Sequence, residues 1–359
     1  MKNLWIRLAA GLAASVLLTA AGGGAMALLD RGGHRSDGLF YQATGIRPDA
    51  RLLTVNGEAI QAEEYLYWLA YDSEYLTSYL GSVDWSAQLT ENMTYGDYAK
   101  ADALETVKTF ALIRRMAADN GIVLKEEDEL ALAQQKTEYI AYYGGEEAYG
   151  NQIRLMGVSE ETFDRINAEH LLIGRVTEAA CTPGGALYPG DEALEEYGAG
   201  QGMVTARLIY LSTDGLDEAA LAARRALAED DLRQLQETDK DKVYERMGQL
   251  MEELGLQAGE DLTFTAEDAD PALYSAVSAL QLQQLSGVIE AENGLYIALR
   301  QPLDLSAAAQ ARFSQQLAQQ RELAAVTLSA AYEKLDTGAF TARLLQLRQE
   351  LAAQLTAES

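Results

Sequence analysis

VTARLIYL, residues Val204–Leu211, reads as a strand and marks the point where the pattern of the chain changes. Downstream, Asp217–Leu235, Lys242–Leu254 and Pro271–Leu280 predict helices, with a short strand at Thr263–Phe264 between the second and third. SGVIEA (Ser286–Ala291) and GLYIALR (Gly294–Arg300) form a hairpin-like pair around Glu292–Asn293. That order of elements describes a small α+β domain of about a hundred residues.

Before it the chain is helical. RLLTVNGEAI (residues 51–60) predicts a short strand, a turn at Asn56–Gly57 and a return. Helices follow over Gln61–Tyr79, Tyr98–Asn120, Glu126–Tyr143, Glu146–Met156 and from Ser159 to about Ala180. Gly121, Gly144–Gly145 and Gly157 act as terminators, and Ser159 as an N-cap. CTPGGALYP (Cys181–Pro189) is a Pro/Gly break, with a short helix over Asp191–Tyr197. After the α+β stretch, Ala307–Leu335 predicts a helix broken at Thr337–Gly338, and Phe340–Leu355 a last amphipathic helix. The fold class is mainly α with a small α+β domain.

Lys2 and Arg7 precede Leu8–Leu29, a run without charge and near the roughly 20 residues that cross a bilayer as helix. Positive charge ahead of the run places the chain beyond it outside the cytoplasmic membrane. Gly22–Gly24 interrupt it, and Ala25–Met26–Ala27 fits a cleavage site, so residues 1–29 read as a signal anchor or a signal peptide. The chain is then single-pass with its C-terminal part outside, or secreted after cleavage. Residues 30–50 are polar and read as a tether.

Composition excludes several classes of function. With 55 acids against 28 bases the net charge is −27, a field that repels a phosphate backbone, so nucleic acid is not an expected partner. Cys181 is alone, so no intramolecular disulfide forms, and it reads as a small buried residue. His34 and His170 are far apart; neither reads as part of a metal site or a Ser-His-Asp triad. No cofactor fingerprint, phosphate loop or Cys/His metal cluster is present. The acid runs Glu126–Glu127–Asp128 and Glu229–Asp230–Asp231 read as solvated helix faces rather than acid/base pairs.

Within the first long helix Tyr67, Tyr71, Tyr75 and Tyr79 recur every four residues beside Trp68, a spacing that stacks them along one side. The stripe reads either as core packing or as a client-binding groove for unfolded polypeptide, since Tyr has an apolar body and a tip that tolerates water.

Two stretches carry a family resemblance. TVNGEAIQAEEYLYWL (Thr54–Leu69) resembles the start of the chaperone domain in the SurA/PrsA class of foldases. Ala206–Leu211, Ser286–Ile289 and Gly294–Ile297 resemble the first strand, the Ser-Gly-x-Val turn and the closing strand of parvulin-type peptidylprolyl isomerases. The resemblance implies a helical chaperone domain at 51–182, completed by 305–357, and a parvulin-like domain at 190–303. It also implies that unfolded or newly exported polypeptides are the partners.

The departures from the family bear on chemistry. Where parvulins carry a histidine in the first strand this chain has Leu208, and where they usually carry a second it has Tyr296. The family's Gly-Gly-x-Leu-Gly stretch is reduced to Gly259–Phe264. Prolyl isomerisation crosses a barrier of about 20 kcal/mol and needs polar groups that weaken amide conjugation. The Leu208 side chain offers none and Tyr296 one hydroxyl. No catalytic residue of the family is retained at these positions, and the expectation is a folding helper with weak or no isomerase activity. The alternatives are an active isomerase using Tyr296, or a non-catalytic assembly scaffold for one partner.

Overall fold

A computed structural model of the protein describes residues 38–256 and 261–357. The apolar segment Leu8–Leu29, His34 and the Gly259–Glu260 positions lie outside these. Among the described residues no helix is long and apolar enough to cross a membrane.

The chain opens with α1 (Leu39–Thr44), the hairpin β1 (Arg51–Val55) and β2 (Glu58–Gln61), then α2 (Ala62–Leu80). A second hairpin, β3 (Gln88–Thr90) and β4 (Met93–Thr94), leads to α3 (Tyr95–Asp119), α4 (Glu126–Tyr143), α5 (Glu146–Met156), α6 (Glu160–Cys181) and α7 (Asp191–Gly200). Next come β5 (Val204–Ser212), α8 (Glu218–Glu237), α9 (Val243–Glu253), β6 (Leu262–Phe264), α10 (Pro271–Ser278), β7 (Ile289–Ala291) and β8 (Gly294–Gln301). The chain closes with α11 (Leu305–Leu323), β9 (Val326–Leu328), α12 (Ala330–Lys334) and α13 (Thr337–Ala357).

These elements form two compact units. One holds the described residues up to Arg175 together with those from Gln320 onward; the other runs Val176–Gln319. The boundaries fall inside α6 and α11, not in the Pro/Gly break at Cys181–Pro189.

The first unit is built on α2 and α3. The β1–β2 turn is set locally, because Asn56 and Gly57 both sit at positive φ, 51° and 86°, as a two-residue hairpin turn requires. Thr94 and Asp97 close a capping box on α3: Asp97 N donates to Thr94 Oγ1 at 3.0 Å, and Thr94 N to Asp97 Oδ2 at 3.2 Å. Leu52, Leu53, Val55 and Ile60 of the hairpin are buried with Tyr65, Leu66 and Leu69 of α2 and Phe110 and Ile113 of α3.

Two expectations fail here, both through contacts made far along the chain. The single helix expected over Ala307–Leu335 ends at Leu323, and Val326–Leu328 become strand β9, pairing antiparallel with β1 (Leu53↔Leu328, Val55↔Val326). Gly338 lies inside α13 and breaks nothing. The tether expected over 30–50 holds α1 within its described part, because Leu39 and Phe40 are buried and Phe40 packs on Phe340 at 5.9 Å between ring centroids. Gly157, at φ 92°, allows this: a Cβ there would lie 2.6 Å from the Phe40 ring.

The second unit is a four-stranded antiparallel sheet in the order β6-β5-β8-β7. β5 and β8 pair over their length, from Thr205↔Gln301 to Ser212↔Gly294. Alternation then sorts the side chains to two faces. Ile209, Leu211, Leu295, Ile297 and Leu299 lie against Ala228 and Leu235 of α8 and Met247, Leu250 and Met251 of α9. Val204, Ala206 and Ala298 lie against Phe264 and against Leu273 and Val277 of α10, with Leu208, Tyr274 and Tyr296 half-buried at the margin. The predicted stretch from 204 to 300 therefore closes into one sheet-and-helix unit.

Candidate functional site

The face of the sheet that carries Leu208 and Tyr296 is the first candidate. Leu208 stands opposite Ala298, and two pairs along Tyr210 stands opposite Tyr296, so all four side chains share a face. The two tyrosine rings lie 4.8 Å apart between centroids, inclined at 31°. Both hydroxyls are held by Asn293 in the β7–β8 turn: Tyr210 donates to its backbone carbonyl at 2.9 Å and Tyr296 to its Oδ1 at 3.1 Å. Gly294 makes this possible, since a Cβ there would lie 2.4 Å from the Tyr210 ring.

Chemically this face offers little to an amide. A tyrosine hydroxyl has one proton to give, and here both are already given to Asn293. Partial burial lifts the Tyr296 phenol above its ordinary pKa, and the Tyr210 and Asp270 charges add to the lift against the Asn293 hydrogen bond, so it stays protonated. Tyr274 donates to the Gly202 carbonyl at 2.9 Å, so its proton is also spent. No histidine occurs in this unit. Tyr210 does not stand out in the sequence; its signal is the two-residue step from Leu208 along a strand.

The tyrosine stripe of α2 is the second candidate, and the structure divides it. Trp68 is only 6% exposed and stacks on Phe110, with centroids 5.3 Å apart. This corrects the expectation that it lines a client groove: it is a core residue. Tyr67 and Tyr71 are half-buried against the Trp68 ring, at 5.2 and 5.7 Å. Burial, then the Tyr71, Glu74 and Tyr139 charges, hold the Tyr67 phenol far above its ordinary pKa. Tyr75 is 44% exposed and Tyr79, one turn on, 79%. Four-residue spacing drifts around the helix, so one stripe begins in the core and ends in solvent.

A charged network that no sequence spacing marks joins α2, α3 and α6. Arg114 of α3 donates to Glu58 at 2.6 Å, Glu64 at 3.1 Å and Glu169 at 2.8 Å, while Arg165 of α6 reaches Glu64 at 2.9 Å and Glu169 at 3.3 Å. Glu64 and Glu169 are buried. Burial opposes the Arg114 charge, yet the three carboxylates outweigh it and raise its pKa. The arrangement ties α2, α3 and α6 together and leaves no site for a reactant.

The acid runs also need correction, because each ends in a buried carboxylate. Asp128 accepts from Lys125 N at 2.8 Å and from Arg175 Nε at 2.7 Å, and Asp231 is buried with its pKa raised, mainly by that burial. His170 is half-buried against the stacked Trp68 and Phe110 rings, with Nδ1 donating to the Ile166 carbonyl at 2.7 Å. Cys181 is half-buried in a small apolar cluster with Leu194 and Tyr188, and burial raises its thiol pKa. Among the described residues no group of His, Cys, Asp and Glu is placed to hold a metal ion.

No family model matches the chain, and no curated protein matches it. Solved structures do. The chain is similar to PrsA from Bacillus subtilis at 16% identity, over 72% of this chain and 88% of that one, with a TM-score of 0.26. It is similar to foldase protein PrsA from Streptococcus pneumoniae at 15% identity, over 86% and 93%, with a TM-score of 0.22. A third is one of the structurally related SurA-like chaperones PEB4 and Cj1289 of Campylobacter jejuni, at 12% identity over 78% and 99%, with a TM-score of 0.25. At these TM-scores the likeness carries no argument about function. The two units and their chemistry stand on their own geometry.

Proposed function

We infer that this protein is a folding helper that binds unfolded, newly exported polypeptide on the outer side of the cytoplasmic membrane and has weak or no prolyl isomerase activity. The observation that carries the reading is the state of the Leu208–Tyr296 face. It keeps an apolar seat, but the one hydroxyl at a family position, with its neighbour Tyr210, is tied to Asn293. What remains for a client is surface, and the exposed end of α2 at Tyr75 and Tyr79 supplies an amphipathic one. The apolar run Leu8–Leu29 behind Lys2 and Arg7 supports delivery to the membrane as an anchor or a cleaved signal.

Two assays on the full-length chain test this. Aggregation of an unfolded client should be suppressed, and proline-limited refolding should proceed at its uncatalysed rate. Acceleration of refolding that disappears in Tyr296→Phe would establish the isomerase instead. Failure to suppress aggregation at excess over client would reject the folding helper.

A further inference from the structure

We propose that the exposed end of α2 selects for cationic clients: it takes unfolded segments in which lysine or arginine alternates with apolar residues. This rests on the folding-helper reading and names the client chemistry of that site. From Leu52 to Ala99 the chain has no lysine or arginine and carries eight carboxylates. That bias is local, since 28 bases are spread over the rest of the chain.

The structure shows where the bias reaches solvent. Tyr75, Tyr79 and Leu80 are exposed at the end of α2, and Leu89 is exposed in the hairpin that follows. Of the acids in this stretch, Glu58 and Glu64 are matched by Arg114, and Glu74 by Arg348. Asp84 and Glu91 are exposed and, among the described residues, form no ion pair; Asp84 accepts from the Ser86 backbone N at 3.0 Å and Oγ at 2.7 Å. Arg348, the base paired with Glu74 of α2, also donates to the Met156 carbonyl.

Exposed tyrosines followed closely along the chain by unmatched carboxylates discriminate by charge in two ways. Tyrosine faces attract ammonium and guanidinium groups through the ring quadrupole. Unmatched carboxylates raise the local concentration of cations and repel acidic segments, and the net charge of −27 adds long-range steering of the same sign. A neutral apolar segment gains contact with the rings and neither of the other two effects.

The test is binding of the full-length chain to three labelled unfolded peptides of equal length and apolar content, one net positive, one neutral and one net negative. The positive peptide should bind about tenfold tighter than the neutral one, and the gap should close at high salt. Tyr75→Ser with Tyr79→Ser should weaken binding of all three. Asp84→Asn with Glu91→Gln should narrow the charge preference alone, since the amide oxygen introduced by Asp84→Asn still accepts from Ser86. Equal binding of the three peptides overturns the charge selection and leaves the folding helper standing. Unchanged binding in the tyrosine variant overturns the site. Binding of none of the peptides rejects the folding helper and this inference with it. Both variants alter exposed side chains, and circular dichroism confirms that they fold.

Discussion

Replacing Arg114 by leucine should cost the first unit about 3 kcal/mol, and the cost should depend on pH. The magnitude follows from the network. Removing one partner of a buried ion pair costs about 3–5 kcal/mol, because the other charge is left unsolvated. Here Arg114 serves two buried carboxylates, Glu64 and Glu169, and a third, Glu58, that is partly exposed and rehydrates. Arg165 still reaches Glu64 and Glu169 in the variant, which holds the loss to the low end of the range. At about 2–4 °C per kcal/mol for a unit of this size, unfolding should shift down by about 6–12 °C.

The pH dependence has a definite sign. Burial lifts the Glu169 carboxyl above its ordinary value even with Arg114 beside it. The folded chain therefore keeps that proton at pH values where the unfolded chain has lost it. Stability linked to Glu169 is fully present below the unfolded carboxyl pKa and is lost as pH rises through the folded value. Without Arg114 the folded value climbs further, so the variant's penalty should shrink as pH falls from the neutral into the acid range and grow as pH rises through the folded values. Calorimetry of the full-length wild type and variant across that range measures both. A loss below about 1 kcal/mol, or one that grows toward acid, would refute the buried network as the tie between these helices.

Three further perturbations separate parts of the structure. Trp68→Ala should destabilise by about 3–5 kcal/mol while Tyr79→Ala stays within about 0.5 kcal/mol, since one ring is core and the other solvent; similar losses in denaturant titrations would remove the division of the stripe. Gly294→Ala should cost about 1–3 kcal/mol by driving a Cβ into the Tyr210 ring, and Tyr210→Ala in the same chain should recover part of it; additive losses would contradict the β5–β8 register. Burial, only partly offset by the Ile166 carbonyl, lowers the His170 pKa, so its contribution is present above the ordinary imidazole value and is lost as pH falls toward the folded one. His170→Phe keeps a ring against Trp68 and Phe110 and should flatten the stability curve below about pH 6.5; parallel wild-type and variant curves would show that His170 does not titrate there.

The sequence disclosed the second unit well because its signals are local. Alternation in VTARLIYL and GLYIALR, with the turn at Glu292–Asn293 between β7 and β8, specifies strands and a hairpin that pair close in space. Helix ends at Gly144 and Gly157 were equally readable, since both glycines hold a positive φ. What stayed hidden depended on partners hundreds of residues away. Leu39 and Phe40 sit in a polar stretch and become core only against Phe340, and Val326–Leu328 become a strand only because β1 offers an edge. The charges of Glu64, Arg114, Arg165 and Glu169 look like ordinary helix-surface residues until three helices bring them together. At the candidate site, Leu208 and Tyr296 could be marked by resemblance, but the commitment of both tyrosine hydroxyls to hydrogen bonds with Asn293 required the side-chain geometry.

Light scattering of a chemically unfolded client, titrated with the full-length chain and with its Tyr75→Ser/Tyr79→Ser variant, tests the central claim most directly. The account predicts that scattering falls as wild-type chain is added and that the variant needs several times more protein for the same effect. Scattering that is unaffected by the wild-type chain at excess would contradict it.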